Sequence, residues 1–162
     1  MKTCVFAGTF DPLSKGHEFV INKCLELFDK VVIAIGKNVD KTPMFSLEDR
    51  KKIIESAFDN EKIEVVSFDG MLTDFMIKRG IKYNVRGVRS LDDYKYESNM
   101  AHYNEDMFKD IVNIFIPTPI NLSYVSSTAI RNIIELGSDY SKYLPDRAVK
   151  IVDEIITKNG KK

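Results

Sequence analysis

The sequence predicts an α/β fold: a doubly wound, Rossmann-like sheet of five parallel strands flanked by helices. Two observations carry this. Short apolar runs alternate with longer amphipathic ones along most of the chain. The short runs are also continuous, as in Val31–Gly36, which suits parallel strands covered on both faces. With 162 residues, 44% hydrophobic and 30% charged content, and no repeat or linker-like stretch, the chain reads as one domain spanning 1–162.

Lys2–Ala7 reads as the first strand and Gly16–Phe28 as the first helix, with Val20, Cys24, Leu27 and Phe28 on one face. Val31–Gly36 is the second strand. A polar loop, Lys37–Phe45, then leads to Ser46, an N-cap for a helix running to about Phe58, with Asp49 as a partial capping box. Ile63–Phe68 is the third strand, followed by a short helix from Leu72 to Arg79 that Gly80 ends. Tyr83–Val85 is the fourth strand and runs straight into Arg86-Gly87-Val88-Arg89. Asp92–Phe108 has helical spacing, with Tyr96, Met100 and Tyr103 on one face. Val112–Ile116 is the fifth strand, stopped by Pro117 and Pro119. Ser123–Ser127 leads into a helix through Leu136, and Asp146–Thr157 forms the last helix, with a Lys-rich tail expected to fray from about 158.

Charge composition narrows the function classes. Lys plus Arg equals Asp plus Glu at 24 each, so no overall field attracts nucleic acid or an anionic membrane. No apolar run approaches the roughly 18–20 residues of a membrane span. Cys4 and Cys24 form no metal-spaced cluster and read as free buried thiols, which implies a cytoplasmic protein.

Ligands of such sheets bind beyond the carboxyl ends of the strands, and four polar clusters fall there. Gly8–His17 is a tight Gly/Pro loop opening a helix; alone it fits either a plain turn or a phosphate cradle with His17 as an added donor. Lys41 precedes Thr42-Pro43 on a loop. Arg86 and Arg89 bracket a glycine, and two guanidiniums there suit phosphate oxygens. Ser126, Ser127 and Thr128 open a helix; one hydroxyl would satisfy a cap, which leaves two unexplained, and all three can donate to phosphate.

Together these residues resemble a known family. Gly8-Thr9-Phe10-Asp11-Pro12 with Ser14-Lys15-Gly16-His17 resembles the signature of the adenylyltransferases related to class I aminoacyl-tRNA synthetases. Ser126-Ser127-Thr128-x-x-Arg131 resembles their second phosphate motif. Lys41–Phe45, Arg86–Arg89 and Tyr96-Glu97 followed by Met100–Asn104 narrow the resemblance to the bacterial phosphopantetheine adenylyltransferases, from Met1 to about Ile156. Departures are Ser14, where Thr or His is usual, Asn99 in place of Gln, and Phe6 and Ala7 in place of Tyr and Pro.

The resemblance implies transfer of AMP from ATP to 4′-phosphopantetheine, yielding dephospho-coenzyme A and pyrophosphate, in coenzyme A biosynthesis. It implies His17, Lys41, Arg89 and Thr9 as catalytic residues. ATP is expected on Thr9, Phe10, His17, Gly87, Val88, Arg89, Glu97 and the segment Leu122, Ser123, Tyr124, Val125, Ser126, Ser127, Thr128. Phosphopantetheine is expected on Thr9, Lys41, Leu72 and Arg86. Mg²⁺ is expected on ATP phosphates and water, with no dedicated protein ligand, and the assembly is expected to be a homohexamer. The rivals are a relative using nicotinamide mononucleotide, a nucleotide-binding regulator without turnover, and a nucleic-acid binder.

Overall fold

A computed structural model describes residues 1–37 and 42–160. The expectations placed on Lys41 and on the last two residues of the tail lie outside them. Five strands form one parallel sheet: β1 (Thr3–Gly8), β2 (Lys30–Gly36), β3 (Ile63–Phe68), β4 (Tyr83–Val88) and β5 (Val112–Pro117), in the order β3-β2-β1-β4-β5. The helices are α1 (Lys15–Leu27), α2 (Leu47–Ala57), α3 (Leu72–Lys78), α4 (Leu91–Met107), α5 (Ser127–Glu135) and α6 (Val149–Lys158), with short 3₁₀ turns at Ile120–Leu122, Ser141–Tyr143 and Asp146–Ala148.

Strands β1 and β2 are apolar from Cys4 to Ala7 and from Val31 to Ile35 because both faces of the sheet are covered there. On one face Cys4, Phe6, Ile33 and Ile35 pack with Val20, Ile21 and Cys24 of α1, Ile53 and Ile54 of α2, and residues of α5 and α6. On the other, Val5, Ala7, Val32 and Ala34 pack with Met76 of α3 and Ile111. Leu27, expected on the buried face of the first helix, is 59% exposed, because α1 ends there and the chain turns away at Phe28. On α4, Tyr96 and Tyr103 are both about two-thirds exposed. The last helix begins later than expected, since Asp146–Ala148 is a 3₁₀ turn before α6.

The chain builds β1 to β3 outward, then crosses back to start β4 on the other side of β1, so the winding reverses between β1 and β4. These two strands pair only as far as Phe6↔Val85. Each goes on pairing with its outer neighbour, β1 to Gly8↔Ile35 and β4 to Val88↔Pro117. The result is a fork. It also explains why the fourth strand is longer than its apolar run: Arg86–Val88 stay extended because β5 supplies their backbone partners.

Helix α1 descends beside the fork and constrains Gly87. A Cβ there would lie 2.8 Å from Val20 Cγ2, so only glycine admits the helix at this spacing. Gly87→Ala is expected to destabilise the fold by about 1–3 kcal/mol through overpacking. Adding Val20→Ala removes the clashing methyl, so the double variant should lose less than the sum of the two single losses in thermal denaturation.

Candidate active site

Beyond the fork lies a cleft of about 340 Å³. It is lined by the end of β1 and its loop, by Arg86, Gly87 and Arg89, by Asp93 and Glu97 of α4, and by Val125–Thr128 and Arg131 at the start of α5. Three of the four sequence clusters thus meet in one place. A second cleft of about 310 Å³ adjoins it, lined by Phe68, Met71, Leu72, Asn84, Tyr96, Met100 and Asn104. The two share Ala7, Gly8, Thr9, Arg86 and Glu97, which form the partition between them.

The loop Gly8–His17 is held through its carbonyls. Arg86 of β4 donates to Ala7 O. Arg50 of α2 donates to Thr9 O at 2.8 Å, and its Nε donates to Phe45 O at 3.1 Å. Arg131 of α5 donates to Asp11 O at 2.7 Å, and Ser127 Oγ to Pro12 O at 2.7 Å. Asp11, 4% exposed, accepts the successive N–H groups of Met44 and Phe45, both at 2.9 Å. Hydrogen bonds to a charged group contribute about 1.5–3 kcal/mol each, so Asp11 fastens the loop after β2 firmly against the loop after β1. Arg50 was not singled out from the sequence. Its signal is a charge on the apolar stripe of α2, one turn before Ile53 and Ile54, where it is 4% exposed.

His17 sits in the first turn of α1, and the helix cap aims it. Ser14 is the N-cap: its Oγ accepts from His17 N, and its own N–H donates to His17 Nδ1 at 3.1 Å. Accepting that bond leaves Nδ1 unprotonated, so the proton of the neutral ring rides on Nε2. Ser14, one of the departures, supplies both a hydroxyl and a backbone N–H here. Phe10 packs edge-on against the imidazole at 5.0 Å and against Phe6 at 5.5 Å. Its backbone takes φ of 49°, and a Cβ on Gly8 would come within 3.1 Å of its ring. Phe10 therefore borders the cleft with its ring 2% exposed, a wedge under His17 more than an open contact surface. Burial, then the positive charges of Arg89 and Arg86, hold the His17 pKa down to about 4.

The arginines are engaged. Arg86 makes a bidentate pair with Glu97, Nε to Oε2 at 2.7 Å and Nη2 to Oε1 at 2.6 Å. The sequence assigned these two to different ligands; the structure pairs them across the partition. Arg89 bonds Asp93 through its backbone N–H and Nε, and Val125 O through Nη1 at 3.3 Å. At the start of α5, Ser126 Oγ caps Ala129 N at 3.1 Å, and the other first-turn N–H groups have no intrahelical partner. Val88, Leu122, Ser123 and Tyr124 do not line the cleft: Val88 ends β4, and Tyr124 is 68% exposed beside Tyr143. Leu72 lines the second cleft, while Asn99 is exposed and lines neither. Among the described residues no group of three or more His, Cys, Asp or Glu gathers as a metal site.

A cytidylyltransferase-like family model matches residues 5–133. A phosphopantetheine adenylyltransferase of Flavobacterium psychrophilum is 40% identical over 152 residues, covering 93% of this chain and 99% of the relative. Another, from Clostridium tetani, is 37% identical over all of both chains. Among solved structures, a bifunctional NMN adenylyltransferase/ADP ribose pyrophosphatase from Francisella tularensis superposes with a TM-score of 0.69 at 20% identity, covering 98% of this chain and 53% of that one. A structure from Vibrio parahaemolyticus does so at the same score and identity over 99% of this chain and 95% of its own. At that identity the structural likeness shows the fold alone.

The depressed pKa of His17 has a measurable sign. The unfolded imidazole binds its proton near 6.5 and the folded one near about 4, so between these values the unfolded chain holds more protons. His17 therefore removes stability as pH falls from 6.5 towards 4, and none further below that. Denaturant unfolding at pH 7 and pH 5 should show a larger loss in the parent than in His17→Gln; equal losses would contradict the assignment.

Proposed function

The chain belongs to the phosphopantetheine adenylyltransferase family, and on that footing we propose that it transfers the adenylyl group of ATP to 4′-phosphopantetheine, releasing pyrophosphate and forming dephospho-coenzyme A. The observation that carries this reading is the pair of clefts meeting at Thr9, Arg86 and Glu97, with a neutral His17 in the first. Two substrates approaching from two chambers meet at the partition.

A phosphate monoester loses its second proton near pH 6 and needs no general base to attack. Catalysis then amounts to alignment and charge stabilisation at the α-phosphorus. His17 donates from Nε2 to the α-phosphate as charge accumulates in the trigonal-bipyramidal state; a donor that is neutral at pH 7 does this without changing its own protonation. Thr9, Lys41 and Arg86 align the phosphate of the acceptor, with Arg86 turning part of its fork from Glu97 to the incoming oxygens. Arg89 and the start of α5 at Ser126–Thr128 receive the β- and γ-phosphates. Leu72 borders the pantetheine arm.

Mg²⁺ suits this donor set as an ion carried in by ATP. The carboxylates lining the first cleft are occupied: Asp11 by two N–H groups, Asp93 by Arg89 and Glu97 by Arg86. Phosphate oxygens and water would be its ligands, and bound there it would neutralise charge on the triphosphate. On the same reading the protein works in the cytoplasm, in coenzyme A biosynthesis, as a homohexamer. Free buried Cys4 and Cys24 support a reducing compartment, and exposed Leu91, Tyr96 and Tyr103 on α4 offer apolar surface to further copies.

Pyrophosphate release from ATP and Mg²⁺, with 4′-phosphopantetheine or nicotinamide mononucleotide as acceptor, tests the reading. Turnover with the first alone is the expected result, and preference for the second would replace it. His17→Ala should lower kcat by about 10²–10³ with both KM values nearly kept, as for loss of one transition-state donor.

A further inference from the structure

One residue lining the second cleft carries a buried polar atom with nothing to bond. Asn84 is the second residue of β4, 2% exposed, flanked in register by Val5 of β1 and Asn113 of β5, and it lines the cleft. Its Oδ1 is buried and has no hydrogen-bond partner among the described residues. Buried polar groups are almost always paired, so an orphan acceptor beside a ligand cleft marks a missing donor.

Which end of this amide is left over is decided outside the cleft. Glu105 of α4, as a carboxylate, only accepts. Asn113 therefore turns its Nδ2 to Glu105 at 3.2 Å, which leaves Asn113 Oδ1 facing Asn84, and Asn84 answers with its own Nδ2 at 2.9 Å. Reversing Asn84 alone would set two amide oxygens against each other. Reversing both would set an oxygen against the carboxylate. The relay Glu105–Asn113–Asn84 thus ends in an acceptor.

We propose that Asn84 is a specificity-determining residue for the acceptor substrate: its Oδ1 takes a hydrogen bond from an N–H or O–H on the arm that follows the phosphate. This rests on the adenylyl-transfer reading above. Asn84 precedes Arg86 by two residues, so both side chains emerge on the same face of the sheet about 7 Å apart. A substrate whose phosphate meets Arg86 and Thr9 brings a donor on its arm past Asn84 at that distance. An arm without the donor leaves the oxygen unpaired, and one presenting an acceptor is repelled, which is how a buried polar group discriminates.

The test begins with the unmodified protein turning over ATP and 4′-phosphopantetheine; no turnover overturns both this inference and the reading under it. Two acceptor analogues then follow, one with an ester oxygen in place of the amide N–H nearest the phosphate, one without the hydroxyl. One of them should raise the acceptor KM about tenfold, the size of one neutral hydrogen bond, with the KM for ATP unchanged. Asn84→Leu, similar in size and without an acceptor, should raise the KM for the natural acceptor about as much, hold kcat within twofold, and bind natural acceptor and analogue alike. A folded Asn84→Leu protein that keeps the parent KM overturns the inference while leaving adenylyl transfer intact. Should that variant fail to fold, the analogues on the parent decide: a KM unchanged by both overturns it.

Discussion

The parting of β1 and β4 is the constraint on which the site depends. A parallel sheet normally satisfies its backbone by continuing each ladder to the strand ends. Here the central ladder stops at Phe6↔Val85 while the two outer ladders continue. The backbone groups released at the fork need other partners, because leaving them buried and unpaired costs roughly a hydrogen bond each. Arg86 meets one such need at Ala7 O from inside the fork. Everything that follows in the loop repeats this solution.

Four carbonyls of one short segment, those of Ala7, Thr9, Asp11 and Pro12, are taken by side chains from β4, α2 and α5. Three of those partners are arginines, each a rigid fork that bonds without bending the chain. A loop ordinarily has the least-determined backbone in a fold. This one is fixed from several directions, which is how it holds Phe10 at a positive φ and presents His17 at a set angle. The cap at Ser14 completes the set by choosing the imidazole tautomer.

Much of this was legible in the sequence, and the limits have physical causes. Apolar runs marked all five strands, most plainly β2, where burial on both faces leaves Val31–Ile35 without a polar residue. The extension of β4 through Arg86–Val88 was hidden, since its support comes from the backbone of β5 and not from its own side chains. Their places at the strand ends were enough to bring Thr9, His17, Gly87 and Ser126–Thr128 together in one cleft, as the structure has them. They did not reveal that Arg86 and Glu97 hold each other, a pairing 11 residues apart that exists only once α4 folds back over the sheet. The backbone partners of Asp11 and Arg50 were hidden in the same way, because main-chain N–H and C=O groups carry no sequence signature. Leu27 shows the opposite failure, a place on the apolar stripe of α1 that the fold leaves open.

The partition between the clefts has a thermodynamic consequence. Arg86 and Glu97 each border both chambers, and each currently satisfies the other. A ligand in either chamber that draws on one of them leaves its partner uncompensated in the neighbouring one. Were both chambers to take ligands, occupancy on one side would change the free energy of binding on the other, and linkage would make the effect reciprocal. A single ion pair used as a shared wall is the element through which ligands of the two chambers would be coupled.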